Sequence, residues 1–151
     1  MSLLLGRWRS GNRKLFGEEL WKGVIGRSFA WREVLDCNTR VQVNITSEGA
    51  SALARALESN STLTELNLVC INITDEGASA LARALESNSS LTTLYLGDSN
   101  ITSEGASALA RALESNSTLT RLYLQRNNIS NPTKSKLRQI ASNRPSLRIF
   151  V

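Results

Sequence analysis

Residues 45–64, 73–92 and 101–120 are near copies of one twenty-residue stretch, set 28 positions apart. The first and third are identical, ITSEGASALARALESNSTLT. The middle one differs only at Asp75, where Ser47 and Ser103 stand, and at Ser90, where Thr62 and Thr118 stand. A fixed period in the range of about 20–50 residues marks a repeat architecture, in which no unit buries its apolar side alone and neighbours must stack.

Each unit divides into a helical and an extended half. Ala50, Leu53, Ala54 and Leu57 fall at i, i+3, i+4 and i+7, one apolar face of a helix. Thr46 or Ser47 supplies a side-chain oxygen to cap its start, with Glu48 beside the positive end of the helix dipole. Asn60 is expected to end it in the left-handed conformation that Asn tolerates. Leu63, Leu66 and Leu68 then bracket a short strand whose side chains alternate between two faces.

Residues 119–129, LTRLYLQRNNI, resemble the leucine-rich repeat signature L-x-x-L-x-L-x-x-N-x-I. The 28-residue period, with E-G-A-x-A-L-A-x-A-L on the helix, is similar to the ribonuclease-inhibitor-like class, which also forms the sensor regions of NOD-like receptors. The resemblance spans residues 45–151. It implies an α/β leucine-rich repeat solenoid of right-handed strand–helix repeats, with a parallel sheet on the concave face and helices on the convex face. The signature asparagine, which satisfies loop backbone groups in that family, is matched only by Asn127. Val43, Ile71 and Ser99 occupy the equivalent positions, and Asn44, Asn72, Asn100 and Asn128 come one residue later. Somewhat looser turns after the strands are expected, without loss of the solenoid.

A stacked array needs ends that shield its outermost leucine rows. Residues 1–44 read as an N-terminal cap with an irregular first repeat, 45–128 as three repeats, and 129–151 as a capping helix and partial strand. Ile25 and Phe29 fall on the Leu53 and Leu57 columns, so 18–30 reads as a degenerate helix; Leu15, Phe16, Trp21 and Trp31 add covering bulk. The alternative is an aromatic ligand site of Trp8, Trp21 and Trp31. Residues 34–43 form a first strand region out of step with the leucine columns, hence bulged. Pro132 suits the first turn of a last helix running to about Ser142, with Leu137 and Ile140 on its apolar face. Pro145 ends that helix, and a strand follows with Leu147 on the Leu119 column and Phe150 on the Leu122 column. The chain then stops within a unit, as a truncated strand or as a piece of a longer array.

The helical halves barely differ between repeats, whereas the extended halves do. The variable positions read Glu65, Asn67, Val69, Cys70 and Ile71, then Thr93, Tyr95, Gly97, Asp98 and Ser99, then Arg121, Tyr123, Gln125, Arg126 and Asn127. In a leucine-rich solenoid the non-leucine strand positions line the hollow, so the variation coincides with the expected binding surface. Simple drift explains less, because the equally exposed Ser51, Arg55 and Glu58 did not change across repeats. The candidate partner-binding residues are Glu65, Asn67, Thr93, Tyr95, Asp98, Arg121, Tyr123, Gln125 and Arg126. Tyr95 and Tyr123 should stack on neighbouring strands and offer large contact area at low entropic cost. Arg121 and Arg126 can grip a carboxylate or phosphate with two parallel hydrogen bonds. Intramolecular pairing of Glu65 with Arg121 is the competing use of that column.

Composition removes other functions. The chain has no histidine, which excludes Ser–His and Cys–His nucleophiles and imidazole metal sites. No buried acid–base pair can be assembled, so no enzyme, no catalytic or metal-binding residue and no cofactor is expected. Two cysteines, Cys37 and Cys70, cannot build a disulfide framework or a four-Cys zinc site, and Cys70 reads as a free thiol. The initial apolar run, residues 3–5, is too short for a membrane span or an export signal, which points to the cytoplasm. Seven N-x-S/T sequons, at Asn44, Asn60, Asn72, Asn88, Asn100, Asn116 and Asn128, therefore read as capping and turn residues rather than glycan acceptors. Residues 115–151 carry seven Lys or Arg and no acid, whereas 45–114 are net negative. The basic end suits an acidic partner; the absence of a nucleic-acid motif or aromatic interleaving there argues against nucleic acid. Opposite charge at centre and ends leaves weak self-association open.

These features point to a protein–protein interaction module that binds through the concave face, and a fragment of a larger receptor-like or effector protein is one reading of its origin. The alternative is a structural or self-associating array with no specific ligand. A Ran-type GTPase-activating protein resembles this repeat class too, but it would need a strand-to-helix loop arginine, for which only Arg126 qualifies, and usually an acidic tail.

Overall fold

A computed structural model describes residues 43–44 and 47–151, and within them each repeat becomes one helix and one or two short strands. The helices are α1 (Ser47–Ser59), α2 (Thr74–Ser87), α3 (Ser103–Ser115) and α4 (Asn131–Asn143). The strands are β1 (Val43–Asn44), β2 (Glu65–Asn67), β3 (Ile71–Asn72), β4 (Thr93–Tyr95), β5 (Arg121–Tyr123) and β6 (Arg148–Phe150). All pairing is parallel: β2-β4-β5-β6 form one sheet and β1-β3 a second. Parallel neighbours require a crossover between them, which the helices supply. The result is a mixed α/β fold in which each helix packs on the next. The segment 1–42 and its expected caps, including Trp8, Trp21 and Trp31, lie outside the described residues.

Leucine columns make the core. Leu63, Leu91, Leu119 and Leu147 are buried before the strands, Leu66, Leu94 and Leu122 within them, and Leu68, Leu96 and Leu124 after them. The helices close over these columns with alanine and glycine. A Cβ on Gly77 would lie 2.7 Å from Ile73 Cγ2 and 3.1 Å from Ala50 Cβ. A Cβ on Gly105 would lie 2.6 Å from Asp75 Oδ1. The near-constant E-G-A segment is thus fixed by how closely one helix approaches the next.

Helix starts differ from one repeat to the next. In α3 the expected cap is present, Thr102 Oγ1 accepting from Glu104 N at 3.3 Å. A second acceptor comes from the preceding helix. Asp75 Oδ1 accepts from Thr102 N at 2.8 Å and Gly105 N at 3.0 Å, and its Oδ2 from Thr102 Oγ1 at 2.6 Å. The acid at this repeat position therefore caps the next helix rather than its own, and α2 itself has no side-chain cap.

Helix ends follow one rule. Asn88 Nδ2 donates to Leu57 O (2.8 Å) and Asn60 O (2.9 Å), and Asn116 Nδ2 donates to Leu85 O (2.7 Å) and Asn88 O (3.0 Å). Their Oδ1 atoms accept from the amides two and three residues on, as Asn60 Oδ1 does from Thr62 and Leu63. Arg144 forms the fourth rung, its guanidinium donating to Leu113 O, Asn116 O and Leu119 O. These asparagines do not end the helices in the left-handed region: Asn88 and Asn116 are extended, at φ −74° and −77°. Their amides are held in this ladder, which fits the reading of the sequons as turn residues.

A left-handed residue recurs after the strands instead, in addition to Thr74 and Asn100. Cys70, Asp98 and Arg126, each 28 from the next, have φ of 59°, 53° and 57°. Here the expected loosening does not occur. Asn127 Oδ1 accepts from Ser99 N and Ile101 N, while Nδ2 donates to Leu96 O and Leu124 O. Ser99, fully buried, donates in turn to Leu68 O at 2.9 Å and Gly97 O at 3.1 Å. Ile71 pairs with Val43 in the small sheet. Cys70 is not a free thiol but is disulfide-bonded, since two cysteines suffice for one bridge though not for a framework; the chain's other cysteine, Cys37, lies outside the described residues.

The last helix and strand start near where the spacing places them, with Pro132 in the first turn and Leu137 buried. The strand register differs. Arg121, Leu122 and Tyr123 pair with Arg148, Ile149 and Phe150, so Ile149, not Phe150, occupies the Leu122 column. Leu147 and Ile149 are separated by one residue where Leu119 and Leu122 are separated by two, which moves Phe150 onto the tyrosine row.

Candidate protein-binding face

Side chains on the sheet face turned away from the leucines form two rows. One row runs Glu65–Thr93–Arg121–Arg148 and the other Asn67–Tyr95–Tyr123–Phe150, each set by the parallel register. Parallel in-register pairing repeats each side chain about 4.8 Å from its neighbour. Flat rings at that spacing stack. Tyr95 and Tyr123 lie 4.6 Å apart between ring centroids with planes 11° apart, and Tyr123 and Phe150 lie 4.5 Å apart at 7°. The stacking expected of the two tyrosines is present, and a third ring extends it.

Phe150 was not among the expected surface residues, because a strict period of 28 puts it in the core column. A signal existed: Arg148-Ile149-Phe150 matches Arg121-Leu122-Tyr123 in being basic, aliphatic, then aromatic. Phe150 is 37% exposed, the one exposed large apolar side chain among the described residues.

Of the expected surface residues, Glu65, Asn67, Arg121, Gln125 and Arg126 are exposed, and Tyr95, Asp98 and Tyr123 are half-buried. Thr93 departs from the expectation. It is 1% exposed, and its hydroxyl has no hydrogen-bond partner among the described residues. It is the short residue in a row between the longer Glu65 and Arg121, so it separates their charges without reaching solvent. Asn67 turns back on its own strand end, Oδ1 accepting from Val69 N at 3.1 Å. Asp98 and Arg126 stand at the left-handed turns, one turn apart.

Electrostatics divide the face. Glu65 lies at one end of the first row and two arginines at the other. Burial, first, and then the Glu65 carboxylate and Tyr123 raise the Tyr95 hydroxyl above its ordinary pKa, while Arg121 opposes them. Tyr95 is therefore a neutral hydrogen-bonding hydroxyl on an aromatic platform at pH 7. The described residues hold no group of three His, Cys, Asp or Glu side chains placed for a metal ion. None of their helices is long and apolar enough to cross a membrane.

A family model for the TMOD/LMOD leucine-rich domain matches residues 33–150. The chain belongs to that family. The leucine-rich repeat reading thus holds, while the ribonuclease-inhibitor-like class and NOD-like receptor regions are not what the comparisons return. A solved structure of leiomodin-1 actin-binding site 2 (ABS2) is similar at 27% identity and a TM-score of 0.65, over 90% of this chain and 78% of that one. The tropomodulin C-terminal domain of Caenorhabditis elegans shares the fold at 19% identity and a TM-score of 0.57, over 70% of this chain and 62% of that one. No curated protein matches in sequence.

Proposed function

We propose that this chain is a protein-interaction module that binds actin through the outer face of its parallel sheet. In this reading the repeats form a right-handed leucine-rich solenoid, the sheet lines its concave side, the helices lie on the convex side, and residues 129–151 cap the array. The stacked ladder of Tyr95, Tyr123 and Phe150 carries the proposal. Stacked rings present rigid, amphipathic area that loses little entropy on binding, which is what interface anchors require. Glu65, Asn67, Asp98, Arg121, Gln125, Arg126 and Arg148 surround the rings and set orientation. Actin as the partner is supported by the likeness to leiomodin-1 actin-binding site 2.

Co-sedimentation with filaments and a fluorescence titration of monomeric actin test this. Tyr95→Ala/Tyr123→Ala should weaken binding at least about tenfold, the equivalent of about 1.4 kcal/mol. Arg55→Ala/Arg83→Ala, on exposed helix positions, should bind as wild type does. Equal binding by both variants removes the sheet face as the site. Failure of the wild type to bind either form of actin removes actin as the partner.

A further inference from the structure

We infer that Arg121 and Arg148 clamp a carboxylate on a bound acidic peptide segment, and that Phe150 receives the apolar side chain beside that carboxylate. The inference rests on the reading above and names the chemistry of the partner at that face. The register places Arg121 directly beside Arg148 on adjacent strands, and both are exposed. Like charges at that spacing repel and destabilise a sheet. Among the described residues neither forms an ion pair, and residues 115–151 contain no Asp or Glu.

Two other cations of this region are engaged elsewhere. Lys136 lies 3.9 Å from Glu114, and Arg144 is held against three carbonyls. Glu65, the one acid in the row, is two strands from Arg121 with Thr93 between. A ligand carboxylate is the missing counter-charge. Two adjacent guanidinium forks can each offer it paired donors.

The aromatic row decides what accompanies the charge. Arg121 and Arg148 each lie two residues before a ring of the ladder, Tyr123 and Phe150, and so on the same face of the sheet. Apolar area next to a compact cationic pair fits a peptide in which an acid adjoins an apolar residue. It does not fit a long polyanion, which following the row would meet Glu65, and following the turns would meet Asp98.

Peptides test the clamp without actin. The full chain is titrated with acetyl-Glu-Trp-Glu-amide and with its Gln-for-Glu counterpart, following the ring resonances of Phe150 and Tyr123. The Glu peptide should bind about tenfold or more tightly than the Gln peptide. Arg121→Gln/Arg148→Gln should abolish that preference, and Arg121→Lys/Arg148→Lys should keep only part of it, because lysine brings charge without the fork. The Lys variant should melt as wild type does and the Gln variant slightly higher, since both side chains are exposed and only Gln removes the like-charge contact.

An equal response to the two peptides overturns the clamp, as does a preference that survives the Gln variant. Displacement of the Glu peptide by equimolar inorganic phosphate or oligouridine overturns the choice of a carboxylate. If the peptide preference holds but the chain binds no actin, the clamp stands and the actin reading falls. If actin binds without the preference, the reverse follows.

Discussion

Two ladders of side-chain hydrogen bonds run across the repeats, and they are built in opposite ways. At the helix ends the same residue recurs, Asn60, Asn88 and Asn116, and each later one closes two carbonyls of the preceding repeat and two amides of its own. At the strand exits the equivalent positions hold Ile71, Ser99 and Asn127, which satisfy that region by strand pairing, a hydroxyl and an amide respectively. Every buried backbone group needs a partner. Where the geometry repeats and water is excluded, one side chain meets the need and does not vary. At the strand exits, where Ile71 and Ser99 are buried and Asn127 is half-exposed, several chemistries serve, and the positions are free to change alongside the binding face.

The largest expected effect comes from breaking the uniform ladder. Asn116 is 4% exposed. Asn116→Ala strips partners from Leu85 O, Asn88 O, Thr118 N and Leu119 N at once. At about 1–3 kcal/mol per unsatisfied buried group, with part of it relieved by relaxation, a loss of about 3–4 kcal/mol is expected in urea unfolding. Asn127→Ala removes a similar number of bonds at a half-exposed site that water can reach, and should cost about 1 kcal/mol. A larger loss at Asn127 than at Asn116 would break the comparison.

Next comes a repeat position where a departure from identity adds contacts to the following repeat. Asp75→Ser restores the residue of the other two repeats. It also removes the carboxylate that accepts from Thr102 N, Thr102 Oγ1 and Gly105 N. A loss of about 1–2 kcal/mol is expected, the range of a helix cap. An unchanged unfolding midpoint would mean that the Thr102 cap suffices alone.

The sequence discloses what depends on local spacing and conceals what depends on the neighbour. The leucine columns, the helices and the strands between them follow from periods within one repeat. The tyrosine stack follows too, because residues 28 apart land side by side in a parallel register. Asn60 is legible as a helix terminator, but its use of side-chain bonds rather than a left-handed backbone shows only when the next turn is in place. Asp75 looks like an N-terminal acid of its own helix, and only the packing reveals that it serves the following one. Thr93 has the spacing of a surface residue, and its burial comes from longer neighbours on both sides. Phe150 is misplaced by counting 28 where the last strand needs 27 from Tyr123.

A smaller effect should appear at alkaline pH. The folded state raises the Tyr95 pKa, chiefly by burial. A raised pKa favours the protonated form in the fold, so that stability is present below about pH 10 and is lost as pH rises through the folded-state value. Tyr95→Phe keeps the ring and removes the titration. Its stability should fall less steeply than wild type above about pH 10, measured as urea midpoint against pH. Equal slopes would place the alkaline loss on other groups.

The smallest effect separates folding from binding most sharply. Arg121→Glu places an acid beside Arg148 and turns a like-charge pair into an opposite one across adjacent strands. Such an exchange on a sheet is worth about 0.2–1 kcal/mol. Arg121 is exposed, so no packing is disturbed, and the unfolding midpoint should rise slightly. Actin binding should weaken in the same protein, because the new carboxylate occupies the place of the partner's. A variant that is more stable and less able to bind would identify the arginine pair as strain held in the free chain and released by a ligand. A variant that is less stable would show instead that some other interaction of Arg121 outweighs its repulsion by Arg148.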